Sequence, residues 1–220
     1  MENKTIKIFG YASGNAAADT GCCMGPLIME QSSYLENTTE LQWASHLFPS
    51  EPARQMAALD SVANLCTKLA QHIAITVQAQ QKFIVIGGDH SVALGTWSGA
   101  AEALQKPVGL IWIDAHLDSH TPESSPSQNI HGMPLASLLG HGPTPLTQIL
   151  NNQYGPYGGG ANNNCIQIED GIFECKWERL EWGIVLDSDF TENFTDVAIK
   201  KGYYKKDDET GKGYILFEKK

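Results

Sequence analysis

The chain has 220 residues, 42% hydrophobic and 18% charged, which is enough apolar material for a full core and excludes a disordered or fibrous chain. No run approaches the roughly eighteen apolar residues of a membrane span, and the start Met-Glu-Asn-Lys-Thr-Ile-Lys lacks the basic-then-apolar order of a signal peptide, so a globular, cytoplasmic protein is expected. The net charge of −10, with no basic cluster before the C-terminal tail, argues against nucleic acid or an anionic membrane as partner.

In chain order, residues 5–9 read as a short strand and the glycine-rich stretch from Gly10 to Pro26 as a loop that also carries Asn15. From Met56 to Gln80, Leu59, Val62, Cys66, Leu69, Ile73 and Val77 recur at steps of three or four without Gly or Pro, the pattern of an amphipathic helix. Phe83-Ile84-Val85-Ile86 is a continuous apolar run, as in a parallel strand covered on both faces, and it ends at Gly87-Gly88. A helix over about Val92 to Leu104 follows, with Pro107 ending it, and the run Val108 to Ile113 then closes on Asp114. Strand, helix and strand in this order predict a right-handed βαβ unit and an α/β fold with a mainly parallel sheet.

Composition changes near residue 150. The last 70 residues hold 22 of the 40 charged side chains but only two alanines, Ala161 and Ala198, so they have a different character from the alanine-rich part before them. Residues 151–164, with Gly158-Gly159-Gly160, read as a loop or linker between residues 1–150 and a charged segment over 165–220 of uncertain fold. Residues 203–209 and the ending Glu218-Lys219-Lys220 read as a solvated, partly disordered tail, with Tyr214 to Phe217 as a candidate edge strand. The five cysteines form no C-x-x-C pattern and suit reduced thiols better than a disulfide framework or a zinc ribbon.

Polar residues gather at the ends of the two central strands. Asp89, His90 and Ser91 follow the first, while Asp114, His116, Asp118 and His120 follow the second. Sites in open parallel sheets form beyond the carboxyl ends of strands, so two neighbouring strands would deliver both clusters to one crevice. If Asp114-Ala115-His116-Leu117-Asp118 is extended, its alternate residues face one side roughly 6.5–7 Å apart along the chain. That spacing suits two divalent ions about 3.5–4 Å apart, and a mixed carboxylate and imidazole set suits manganese, iron or zinc.

Gly87-Gly88-Asp89-His90-Ser91, Asp114-Ala115-His116-Leu117-Asp118 and Asn129-Ile130-His131-Gly132-Met133-Pro134-Leu135, in that order, resemble the motifs of the ureohydrolases, the arginase, agmatinase and formiminoglutamase family. Asp19-Thr20-Gly21-Cys22 with Gly25-Pro26 fits the weaker N-terminal part, and the stretch from Thr121 to His131 is more similar to arginases than to the other members. The resemblance runs over about residues 6–150 and implies a three-layer α/β/α fold, incomplete or altered at its C-terminus, usually in a trimer or hexamer. It also implies a dinuclear manganese site whose bridging hydroxide attacks the guanidinium of L-arginine to give ornithine and urea. Carried over by position, His90, Asp114, His116 and Asp118 would be metal ligands, and His131 would shuttle a proton to the leaving amine. Ser127, Asn129 and His120 would hold the substrate's α-carboxylate.

Two positions depart from the arginase pattern. His120 stands where many arginases have Asn, and Gln128 replaces a Gly, which would force glutamine into a positive φ if the turn is kept. His141 reads as a surface or helix-end residue, and His46 and His72 as solvent or core residues. The family's second Asp-x-Asp pair has one counterpart, Asp187 and Asp189 at the end of an apolar run, without the preceding Ser or the following Asp-Pro. The acidic pair with which the family usually contacts the substrate's α-amino group has no matching residue here, although Glu169-Asp170 and Glu174 lie in a plausible region. The alternative to an active arginase is an inactive truncated or frameshifted chain that binds at most one ion, and a narrower alternative is an agmatinase-type amidinohydrolase.

Overall fold

The computed structural model describes residues 5–35, 38–105, 110 and 112–149, together with the backbone of five short strands after residue 150. In chain order the elements are β1 (Ile6–Tyr11), α1 (Gly25–Glu30), β2 (Leu41–Leu47), α2 (Leu59–Gln78), β3 (Lys82–Gly87), α3 (Val92–Leu104), β4 (Trp112–Ile113), α4 (Pro134–Leu138) and α5 (Thr144–Thr147). The later strands are β5 (Cys165–Glu169), β6 (Ile172–Cys175), β7 (Val185–Leu186), β8 (Tyr204–Lys206) and β9 (Gly213–Ile215). Short 3₁₀ turns occupy Thr20–Met24, Gln55–Ala58 and Ile130–Gly132. No described helix is long and apolar enough to cross a membrane.

A parallel sheet of order β2-β1-β3 forms the frame, and the chain is an α/β protein. β1 is central, and its last four residues are buried. Phe9 and Tyr11 join the core formed with α2 and α3. On α2 the stripe read from the sequence is the buried face: Val62, Cys66, Leu69 and Ile73 are almost wholly buried, with Leu59 and Val77 packed at its ends. Each fully buried leucine or isoleucine contributes about 1.5–3 kcal/mol relative to exposure. α3 lies close against α2 because Gly99 faces it; a Cβ there would stand 2.3 Å from the Ala70 carbonyl oxygen. The helix closes at Gln105, whose φ of 51° is left-handed and whose N–H returns to the Ala101 carbonyl.

Some expectations change. β1 extends to Tyr11, and the stretch read as loop contains a 3₁₀ turn and the start of α1. The turn begins at Asp19, whose carboxylate accepts from the Gly21 N–H at 2.8 Å, a local cap that a glycine count does not reveal. β2 has no clear alternation in sequence and is held by the β1 ladder with a register shift at Ile8 and Phe9. β3 is not covered on both faces, since Ile84 is 42% exposed. β4 pairs in parallel with β7, and no ladder joins it to β3 among the described residues. Among the described residues, Trp112 and Ile113 form that strand before the chain turns into its polar segment.

Beyond residue 150, β5 and β6 pair antiparallel, as do β8 and β9, so the candidate edge strand at 214–217 is observed as Gly213–Ile215. The linker at 151–164 lies outside the described residues. Cys22, Cys23 and Cys66 are free thiols.

Candidate metal centre

His90 lies between β3 and α3, while Asp114 and Asp118 follow β4. The structure brings these three together: one ligand atom from each lies within 4.8 Å of the others, the group of His, Cys, Asp and Glu able to hold a metal ion among the described residues. His90 Nδ1 stands 3.2 Å from Asp114 Oδ2 and makes a short hydrogen bond with Asp118 Oδ2. Burial works against a charged imidazole, but the hydrogen bond and charge of Asp118, with Asp114 and Asp89 behind it, outweigh that effect and raise the His90 pKa. The Trp112 ring lies against His90 with centroids 4.8 Å apart and limits its rotation.

The segment from Asp114 to Asp118 is not extended. Asp114 Oδ1 accepts from the His116 N–H at 2.9 Å, closing a tight local turn, and Asp118 adopts a φ of 51°. Asp118 therefore comes back toward His90 through a left-handed residue and not through strand alternation. His116 is turned outward with 69% of its side chain exposed, its Nδ1 3.9 Å from Asp114 Oδ1, and it is not part of the three-donor group. One nitrogen and two carboxylates with no thiolate suit a hard or borderline divalent ion, so the residues present fit one such ion.

The segment after Asp118 is pinned to the third motif. The Asp118 carbonyl accepts from Leu135 N at 2.9 Å, and His120 N donates to the Gly132 carbonyl at 3.0 Å. His131 lies in the 3₁₀ turn between these bonds, half-buried, with its N–H donated to the Ala16 carbonyl at 3.1 Å. His120 Nδ1 is 3.1 Å from Ser124 Oγ, which also accepts from Thr121 N at 2.9 Å. His120 thus braces the Thr121 to Asn129 loop.

In that loop Ser127 is exposed, Asn129 is half-buried, and Ser127 Oγ accepts from Asn129 N at 3.3 Å. Gln128 does adopt positive φ, 58°. Its own side chain holds it there: Nε2 donates to the carbonyls of Pro122 at 2.6 Å and Ser125 at 2.7 Å, while its N–H donates to Ser125 Oγ at 3.0 Å. Three hydrogen bonds, each worth about 1 kcal/mol net, offset a strain of about 1–3 kcal/mol.

Arg54 and Gln55, at the 3₁₀ turn ahead of α2, stand in no sequence motif, yet they strap the site loops. Gln55 Nε2 donates to the Ser127 carbonyl at 2.9 Å, and Arg54 Nη2 donates to the Ala18 carbonyl at 2.9 Å. Neither contact has a local sequence signal.

His46 is mostly buried on β2, stacked on Trp43 and 3.5 Å from Glu30, whereas His72 is exposed and tilted against Phe9. His141 sits at a helix end, with its N–H on the Ala136 carbonyl. β7 pairs Val185 with Trp112 and Leu186 with Ile113 in parallel register. Asp187, Asp189 and Asp170 lie outside the described residues, as do the side chains of Glu169 and Glu174.

The profile of the arginase family matches residues 4–171. The arginase of Bacillus caldovelox is 38% identical over 158 residues, 66% of this chain and 52% of that protein. The arginase of Bacillus subtilis is 34% identical over 67% of this chain and 52% of its own length, and a crystal structure of that enzyme superposes with a TM-score of 0.60 over 69% of this chain and 52% of its own. The Entamoeba histolytica arginase solved in complex with L-ornithine gives 0.62 at 31% identity, covering 69% of this chain and 55% of that one. Matching over so much of the chain, with the three motifs inside the matched range, places it in the arginase family. The chain spans about half the length of the curated relatives it matches.

Proposed function

We propose that the chain is an arginase-type hydrolase that carries manganese and cleaves the guanidinium group of L-arginine to ornithine and urea. The observation that carries the reading is the convergence of His90, Asp114 and Asp118 within an arginase-family sequence. Those three residues would hold one ion. His116 with Asp187 and Asp189 would contribute to a second, which needs His116 to turn inward from its exposed position. When bound, manganese supplies Lewis acidity that makes water nucleophilic near neutral pH.

The chain's own residues do the rest. His131, held at its backbone by Ala16, gives a proton to the leaving amine, a task suited to imidazole near neutrality. Ser127 and Asn129 hydrogen-bond the α-carboxylate, and His120 steadies their loop through Ser124. The L-ornithine bound by the Entamoeba relative supports arginine as the substrate class, since ornithine is what arginine becomes when urea leaves. Residues 1–150 carry these groups and residues 165–220 form a segment of different character. The protein works in the cytoplasm as a trimer or hexamer.

A second reading, a catalytically silent chain binding a single ion, is favoured by the outward His116, which leaves three donors together among the described residues. Manganese content per chain and urea release from arginine separate the two. Two ions with turnover, lost in His131→Ala, support the hydrolase; one ion without turnover supports the silent chain. Agmatine hydrolysed in preference to arginine would show that Ser127 and Asn129 do not select an α-carboxylate.

A further inference from the structure

Asp89 neighbours His90 in sequence, yet its side chain turns away from the three-donor group and into the core. It is 4% exposed and makes no ion pair among the described residues. A carboxylate buried without a cation costs several kcal/mol unless dipoles compensate it. Four do. Oδ1 accepts from Ser91 N at 3.0 Å and Ser91 Oγ at 2.5 Å, while Oδ2 accepts from Ser13 Oγ at 3.1 Å and Ala16 N at 3.2 Å.

The two oxygens serve different parts of the molecule. Oδ1 fastens the turn that starts α3, and Ser91 Oγ is in turn 2.9 Å from the Tyr11 hydroxyl, which lies 3.5 Å from Cys66 Sγ on α2. Oδ2 reaches across to the loop after β1, and that loop is doubly fastened because the Asp89 N–H also donates to the Ser13 carbonyl at 2.8 Å. Gly88 permits this approach, since a Cβ there would lie 2.2 Å from the Ser13 carbonyl oxygen. Ala16 then passes the link on: its N–H is held by Asp89, and its carbonyl accepts the N–H of His131. Tyr11, Ser13, Ala16, Cys66 and Ser91 are all fully buried, so water does not compete for these bonds.

We propose that Asp89 is a positioning residue that fixes His90 and His131 relative to each other, one through the α3 turn and the other through Ala16. A carboxylate that only capped the α3 turn would need Oδ1 alone. The use of Oδ2 on Ser13 and Ala16 is what couples a ligand of the metal centre to the proton-transfer histidine. A misplacement of about 1 Å at such a pair is enough to cost about a hundredfold in rate. The catalytic consequence rests on the arginase reading, but the coupling itself is measured without metal or turnover.

The test is amide exchange and histidine ring resonances by NMR in the full chain, for the wild type and Asp89→Asn. The Oδ1 contacts are the shorter, so the asparagine oxygen stays with Ser91 and its NH₂ faces the Ala16 N–H. Exchange at Ala16 and His131 should rise about tenfold, and the His131 ring signals should move while those of His46 and His72 stay. Unchanged exchange at Ala16 and His131, or an equal rise at every amide, overturns the proposal. If Asp89→Asn does not fold, Ser13→Ala leaves Ala16 N as the sole donor to Oδ2. Its amide proton should then move downfield together with that of His131, and a fixed His131 signal refutes the link. Absent urea release with the coupling present would remove the arginase reading alone.

Discussion

His90 and the Asp114 to Asp118 segment supply the same candidate centre but are built in opposite ways. His90 emerges where a packed strand meets a 13-residue helix, beside Gly88 and the buried Asp89, so its backbone is set by the core. Asp114 and Asp118 stand on a partly exposed turn shaped by an Asp114 carboxylate contact and a left-handed Asp118. Packing fixes the first side of the centre, and local hydrogen bonds fix the second. Substitutions on the first side should therefore unfold the protein, while those on the second should retune binding.

The largest effect belongs to Gly88→Ala. The new methyl meets the Ser13 carbonyl at 2.2 Å with backbone on both sides, so denaturant titration should show a loss of about 3 kcal/mol or no cooperative transition. A loss under about 1 kcal/mol would mean that the loop after β1 yields freely. A middle effect is expected at Gln128→Gly, which relieves a φ of 58° but removes the bonds to Pro122 and Ser125. Global stability should stay within about 1 kcal/mol while amide exchange over 122–128 accelerates. Slower exchange would show that the strain, and not the side-chain clamp, governs the loop. The smallest effect is expected at Gly132→Ala, where the nearest atom to a new Cβ is His120 Cδ2 at 4.0 Å; stability should move by less than about 0.5 kcal/mol.

The same contrast explains what could be read in advance. The α2 stripe and the β3 and α3 boundaries were legible because a buried face imposes a period on the sequence, and burial of Val62, Cys66, Leu69 and Ile73 follows that period. The grouping of His90 with Asp114 and Asp118 was legible from strand ends. His116 was not, because alternation assumes an extended chain and the Asp114 carboxylate closes a turn instead. Gln128 was foreseen as strained, but the side chain that holds it reaches carbonyls three and six residues away, a contact no pattern announces. Arg54 and Gln55 act through long-range hydrogen bonds between loops, and β2 exists through its ladder with β1, so none has a local signature; Asp89 stands in a legible motif, but its reach to Ser13 and Ala16 does not show in it.

Calorimetric titration of the full chain with manganese, beside Asp118→Asn, tests the central claim most directly. Binding of at least one ion per chain is expected, weakened more than about tenfold by Asp118→Asn and changed less than about threefold by His116→Ala at the first ion. No manganese binding, or binding that Asp118→Asn leaves unchanged, would contradict the assignment of His90, Asp114 and Asp118 as the metal centre.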